Sequence, residues 1–195
     1  MKIFQLNKED IYKNYRYMGI SAILCEEPIT KNLFDNILEI SRKENVVIQL
    51  FDPEKIATWK HIFIAALNAI AAFKQSRNVA SQLSLEILLY ATGQRQIKDA
   101  INLLGVSKQI RKAAILVLGD SREKIIAFFE KIISLLNGRE EEKLLEISSK
   151  EKMQQLLNIF KITEEEIYAA MREEDKKEAV VKSILDRISV FAVEK

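Results

Sequence analysis

Cys25 and His61 are the single cysteine and the single histidine in 195 residues, so a thiolate–imidazole pair could be built only from these two. A thiolate needs a base within hydrogen-bond reach, and nothing in the spacing of this pair sets that geometry. Cys25 closes the apolar run Met-Gly-Ile-Ser-Ala-Ile-Leu-Cys, and His61 follows Trp59 at the start of an apolar helix. Both are expected in the core. Ser107, in Gly105-Val106-Ser107-Lys108-Gln109, lacks the second glycine of a nucleophile elbow. The five glycines (Gly19, Gly93, Gly105, Gly119, Gly138) are each isolated, so no phosphate cradle forms. Leu118-Gly119-Asp120-Ser121 reads as a helix cap rather than an anion site. The acidic runs 140–142, 164–166 and 173–175 are consecutive, so they point around a helix and lack the spacing of a calcium loop. One His and one Cys leave no zinc set. No catalytic residue, metal or cofactor is expected.

Binding chemistry has better candidates. The segment from Pro53 to Leu118 carries nine Lys/Arg against three acids, whereas Arg139 to Asp186 carries nine against thirteen. A chain of net charge +2 can therefore present a basic face. Within that face Lys74, Arg77 and Asn78 precede the run Leu83 to Thr92, and Arg95 and Gln96 follow it. If 83–92 is a helix, these two groups sit at its opposite ends, ~15 Å apart, and could bracket an extended single strand. Phe73 and Tyr90 are the nearby aromatic candidates for stacking on a base. In the helix itself only Ser84 and Glu86 are strongly polar, which calls for burial most of the way round. A partner-facing apolar surface is a second use of such a helix. Amphipathicity offers Leu83 and Ile87 there, with Val181 and Ile184 further along.

The elements that must position these groups follow from periodicity and caps. Strands are expected near 1–6, 18–25, 45–51, 111–118 and 187–193. Helices are expected from Thr30 to about Lys43, from Asp52-Pro53 to about Lys74, and over 83–92, closed by Gly93. Further helices are expected over 94–104, closed by Gly105, and from Asp120-x-x-Glu123 to Gly138. Residues 139–161 read as charged and helical, a possible sub-lobe at 138–161. A capping box at Thr163-x-x-Glu166 opens another helix, and the last runs from about Lys176 to Asp186. With only five Gly and two Pro, the chain is read as one helix-rich α+β domain, 1–195, with a small mixed or antiparallel sheet. No apolar stretch reaches the ~20 residues needed to span a bilayer. With no address signal and a lone cysteine, a soluble, cytoplasmic protein with no membrane contact is expected.

At the central residues a family resemblance emerges. Arg77-Asn78, then Leu85-Glu86-Ile87-Leu88-Leu89-Tyr90, Gly93-Gln94-Arg95-Gln96-Ile97 and Ala100, closed by Gly105-Val106, resembles the TPRKB family. That family is the PRPK-kinase-binding small subunit of the KEOPS complex. The chain departs from its pattern mainly at Ala91-Thr92, where the family has Leu-Ser, and at Leu104, where it has Phe. The resemblance implies a non-catalytic accessory subunit in tRNA threonylcarbamoyl-adenosine biosynthesis. It implies two partners, a PRPK-type kinase/ATPase subunit and the single-stranded CCA 3′ end of tRNA. Arg77, Asn78, Arg95 and Gln96 match the motif, and Lys74 is near it. Arg77 and Arg95 are expected on phosphate, Asn78 and Gln96 on base or sugar. The alternative is a protein-only adaptor that regulates the kinase allosterically without touching RNA.

Overall fold

The computed structural model describes every residue except 9–11, 14, 107–109, 172–174 and 195. Ser107, Lys108 and Gln109, and Glu173 and Glu174 of the third acidic run, lie outside the described residues.

The sheet is built from β1 (Lys2–Gln5), β2 (Tyr17–Cys25), β3 (Val47–Phe51), β4 (Lys112–Gly119) and β5 (Gly138–Glu140). Its order is β1-β2-β4-β3, every pairing is antiparallel, and β5 pairs β2 through Ile23–Cys25, beyond the end of β1. Helices cover both faces. On one side Met18, Ile20, Phe51, Leu116 and Leu118 join the core formed with α2 (Trp59–Lys74), α3 (Leu83–Thr92) and α8 (Lys176–Glu194). On the other, Ile48, Leu50, Ile115 and Val117 meet α1 (Lys31–Lys43) and α5 (Arg122–Leu135). Strand alternation sends successive side chains to opposite layers, and with both faces buried the strands read as nearly continuous apolar runs. Gly19 lies where α5 comes closest to the sheet. A Cβ there would stand 2.5 Å from Ile125 and 2.7 Å from Phe129.

The α+β class and four of the expected strands are observed. The fifth is corrected. Residues 187–193 are not a strand but the last turns of α8. Val180, Ile184, Ile188 and Phe191 are all buried, which is helical spacing, while Val190 and Val193 are 55% and 85% exposed. The sheet takes its fifth strand from 138–140 instead, inside the segment read as helical. The remainder of that segment is a 3-10 turn, Glu142–Leu145, and α6 (Lys150–Phe160). Gly138 opens β5 rather than closing α5, whose C-cap is Leu136.

Other boundaries shift for local reasons. Asp52 caps only a 3-10 turn, Pro53–Lys55. α2 starts again at Trp59 with Thr58 as N-cap. The break lets Ile56 and Ala57 enter the core. It also puts the Ala57 N–H on His61 Nδ1 at 3.4 Å. α5 is capped by Ser121, not Asp120. α4 spans Ile97–Leu104, and α7 (Glu164–Ala170) begins with the expected Thr163–Glu166 capping box.

Candidate nucleic-acid interface and partner surface

α3 is the strut of the site. Eight of its ten residues are buried, Glu86 among them, so the helix is held from nearly every side. Its neighbours α2 and α4 pack against it in sequence order. The basic groups are therefore fixed to the ends of a rigid element.

At the N-terminal end, α2 stops at Gln75, Ser76 takes a left-handed conformation (φ 55°), and Arg77 and Asn78 follow. Lys74 and Arg77 are exposed and Asn78 is half-buried. Asn78 Nδ2 donates to the Ala80 carbonyl at 2.9 Å. Glu86 accepts the backbone N–H groups of Val79 and Ala80 at 3.0 and 2.7 Å. A buried carboxylate thus braces the loop that carries Arg77. The Arg77 charge also reaches along α3 as far as Tyr90. Burial raises the Tyr90 phenol above its ordinary pKa, Glu86 raises it further, and Arg77 pulls it back.

At the other end, Gly93 closes α3 at φ 63°, in open space, with its N–H on the Leu89 and Tyr90 carbonyls. This is the left-handed cap that glycine takes without a Cβ penalty. Thr92 Oγ1 donates to the Leu88 and Leu89 carbonyls at 3.0 and 2.9 Å and accepts the Gln94 N–H at 3.2 Å. The turn leaves Arg95 and Gln96 exposed, and Gln96 occupies the N-cap of α4 without spending its side chain on a cap bond.

Tyr90 is 4% exposed and packs edge-on to Phe191 at 5.6 Å, so it offers no stacking face. Phe73 packs edge-on to Tyr12 at 5.5 Å, and Lys13 Nζ lies 5.4 Å from the Tyr12 ring centre. The fold thus brings Tyr12, some sixty residues away in sequence, against Phe73 of α2, with Lys13 over the Tyr12 ring. No periodic signal in the sequence marks that contact.

The apolar candidates divide differently. Leu83, Ile87 and Ile184 are 6%, 0% and 0% exposed, so they are core residues with no face on the surface of this chain. Val181 is half-buried beside α2. The helical periodicity that selected them marks the inward face.

Cys25 and His61, whose spacing gives no support for a catalytic pair, each have their own place in the core. Cys25 is buried at the end of β2, its thiol pushed up by burial. His61 hydrogen-bonds through both ring nitrogens to backbone groups, Nε2 reaching the Ala91 carbonyl at 2.7 Å. Among the described residues no group of three or more His, Cys, Asp or Glu could hold a metal ion, and no helix is long and apolar enough to cross a membrane.

A braced scaffold that fixes cations at both ends of a buried helix has the build of a binding subunit. Comparison with known proteins specifies which. Residues 28–190 match the family described as kinase binding protein CGI-121, and the chain belongs to that family. It is 32% identical over 114 residues to the regulatory protein Cgi121 of Methanocaldococcus jannaschii, covering 58% of this chain and 70% of that protein. A shorter match, 43% identical over 49 residues, is to the KEOPS complex subunit Cgi121 of Pyrococcus abyssi, covering 25% of this chain and 29% of that protein.

Proposed function

We propose that this chain is an accessory subunit of a KEOPS complex, binding its PRPK-type kinase subunit and the single-stranded CCA 3′ end of tRNA. Membership of the kinase-binding family over residues 28–190 is the observation that carries the kinase half. The geometry of α3 supports the RNA half. Lys74, Arg77 and Asn78 flank one end of the helix, and Arg95 and Gln96 the other, each set on a hydrogen-bonded turn. In this reading the guanidinium groups hold phosphates, and the side-chain amides meet unpaired base edges or sugar hydroxyls. The chain's own residues do no bond chemistry. They place the RNA end and the kinase on one rigid body.

The deciding experiment compares intact tRNA with tRNA trimmed of its 3′ terminal nucleotides. Trimming is expected to abolish binding, and binding by the intact form is expected to weaken steeply with salt as counterions are released. Equal binding of the two forms overturns the RNA half. Under the protein-only adaptor reading, Arg77→Glu with Arg95→Glu would leave the activity of the assembled complex unchanged. Under the reading proposed here it lowers that activity.

A further inference from the structure

The Ala91 carbonyl lies in the last turn of α3, where a helix has no N–H of its own left to offer. The Gly93 N–H takes the carbonyls of Leu89 and Tyr90, and the Thr92 hydroxyl takes those of Leu88 and Leu89. The Ala91 carbonyl is met from another helix: His61 Nε2, in the first turn of α2, stands 2.7 Å from it. The Ala57 N–H donates to Nδ1 of the same ring at 3.4 Å. Burial lowers the His61 pKa to about 4, so at neutral pH the ring is uncharged. With Nδ1 accepting, the one ring proton sits on Nε2 and is donated to Ala91. The imidazole is 0% exposed and packs edge-on to Phe160 at 5.3 Å. A hydrocarbon ring of that size would fill the same space. A ring bonded through both nitrogens also ties the chain entering α2 to the chain leaving α3.

We infer that His61 is a positioning residue of the basic site: through the Ala91 carbonyl it fixes where α3 ends, and so where Arg95 stands relative to Arg77. It rests on the RNA-binding reading above and adds a residue buried out of reach of any RNA. The turn after Ala91 has little else to hold it. Helix ends fray, and Gly93, at φ 63° with nothing within 4 Å of a Cβ there, brings no side chain to pack. Arg95 follows two residues later, so a loosened last turn displaces its guanidinium. Two cations that grip one strand bind it tightly only if their spacing is set before the strand arrives. Arg77 has its own brace in Glu86, which holds the Val79 and Ala80 N–H groups. The two ends of α3 are therefore fixed by two different buried polar side chains, and loss of His61 should disturb one end alone.

The two nitrogens can be removed one at a time. His61→Gln puts an amide nitrogen at the reach of Nε2 and keeps a donor for Ala91. His61→Asn puts its amide at the reach of Nδ1 and keeps only the Ala57 side. Both variants lose stability, so tRNA binding by the full chain is measured at a temperature where circular dichroism shows each folded. His61→Asn is expected to weaken binding about 5-fold, the worth of one hydrogen-bonded contact. Its slope of log affinity against log salt should fall by about 0.7, one phosphate of a single strand. His61→Gln should bind within about 2-fold of the wild type. Added to Arg95→Ala, His61→Asn should cost nothing more, whereas with Arg77→Ala the two losses should multiply. Should His61→Asn not fold, His61→Met, which fills the core and bonds neither backbone group, takes its place with the same expectations. Equal weakening by the Gln and Asn variants, or losses that multiply with Arg95→Ala, would make His61 a core residue only, with the RNA reading intact. A wild type that does not bind tRNA removes the RNA reading and this role together.

Discussion

The carboxylate of Glu86, fully buried on α3, accepts the backbone N–H of Ala80 at 2.7 Å. The same oxygen accepts the Val79 N–H at 3.0 Å. This polar side chain is kept in the core because it closes two donors of the loop between α2 and α3, and that loop carries Arg77 and Asn78. Glu86→Ala strands those donors and is expected to cost about 1–3 kcal/mol, as loss of a buried acceptor does. Denaturant unfolding measures the loss. Hydrogen exchange at Val79 and Ala80 should rise, and under the proposed function tRNA affinity should fall with it. Unchanged exchange at those two amides would show that the loop is held by something else.

His61 supplies a pH-dependent stability. Burial pushes its pKa down from 6.5 to about 4, with the hydrogen bond to Ala91 acting in the opposite sense. Below pH 6.5 the unfolded chain takes up a proton that the folded chain refuses until about pH 4. Stability is therefore full above pH 6.5 and falls as the pH drops through that window, by on the order of 3 kcal/mol. His61→Phe keeps an aromatic ring against Phe160, now 5.3 Å away, but leaves the Ala57 N–H and Ala91 carbonyl without their partner. The variant should be less stable at neutral pH and should lose the acid-side slope. Equal slopes in urea midpoints between pH 4 and 7 would contradict the assignment.

What could be read from residues alone follows a physical divide. Caps and helix stops are local, so Thr30, Gly93 and the Thr163–Glu166 box mark their elements in sequence as they do in space. The cations Arg77 and Arg95 were legible for the same reason, because they flank a helix whose length is set by its own residues. Which way the apolar residues face was not. Leu83 and Ile87 have the same composition and spacing whether the helix face looks inward or outward, and only the packing of α2 and α8 decides. The strand at 138–140 escaped because three residues pairing with Ile23–Cys25 carry no periodicity of their own.

Lys152 is 2% exposed, and its ammonium donates to the Leu144 carbonyl at 2.8 Å. It ties α6 to the 3-10 turn before it. Burial lowers its pKa to about 8, opposed by the charges of Glu54, Asp52 and Glu146. Glu54 is ion-paired to Lys112, and Asp52 to Lys55 at 3.4 Å, so these acids are shared. Between pH 8 and 10.5 the unfolded chain holds a proton that the folded chain has released. Stability is then expected to rise with pH across that window, by on the order of 3 kcal/mol at most. Lys152→Met should remove the rise while keeping the buried stem. A wild-type unfolding midpoint that stays level from pH 8 to 10 would show the amine to be better solvated than its burial implies.

The C-terminal segment separates two periodicities in one experiment. In a strand, Ile188, Val190 and Ala192 would share a face, and replacing either of the first two with Ser would cost alike. In α8, Ile188 is fully buried against the core, whereas Val190 is 55% exposed. Ile188→Ser places a hydroxyl in that core and removes three carbons, so about 3 kcal/mol of stability should go. Val190→Ser should stay within ~0.5 kcal/mol, the range of ordinary surface changes. Because Phe191 packs edge-on to Tyr90 at the far end of α3, the Ile188 variant should also loosen the turn that holds Arg95. Faster amide exchange at Gly93 and Gln94 in that variant, and not in Val190→Ser, would tie the C-terminal helix to the geometry of the basic site.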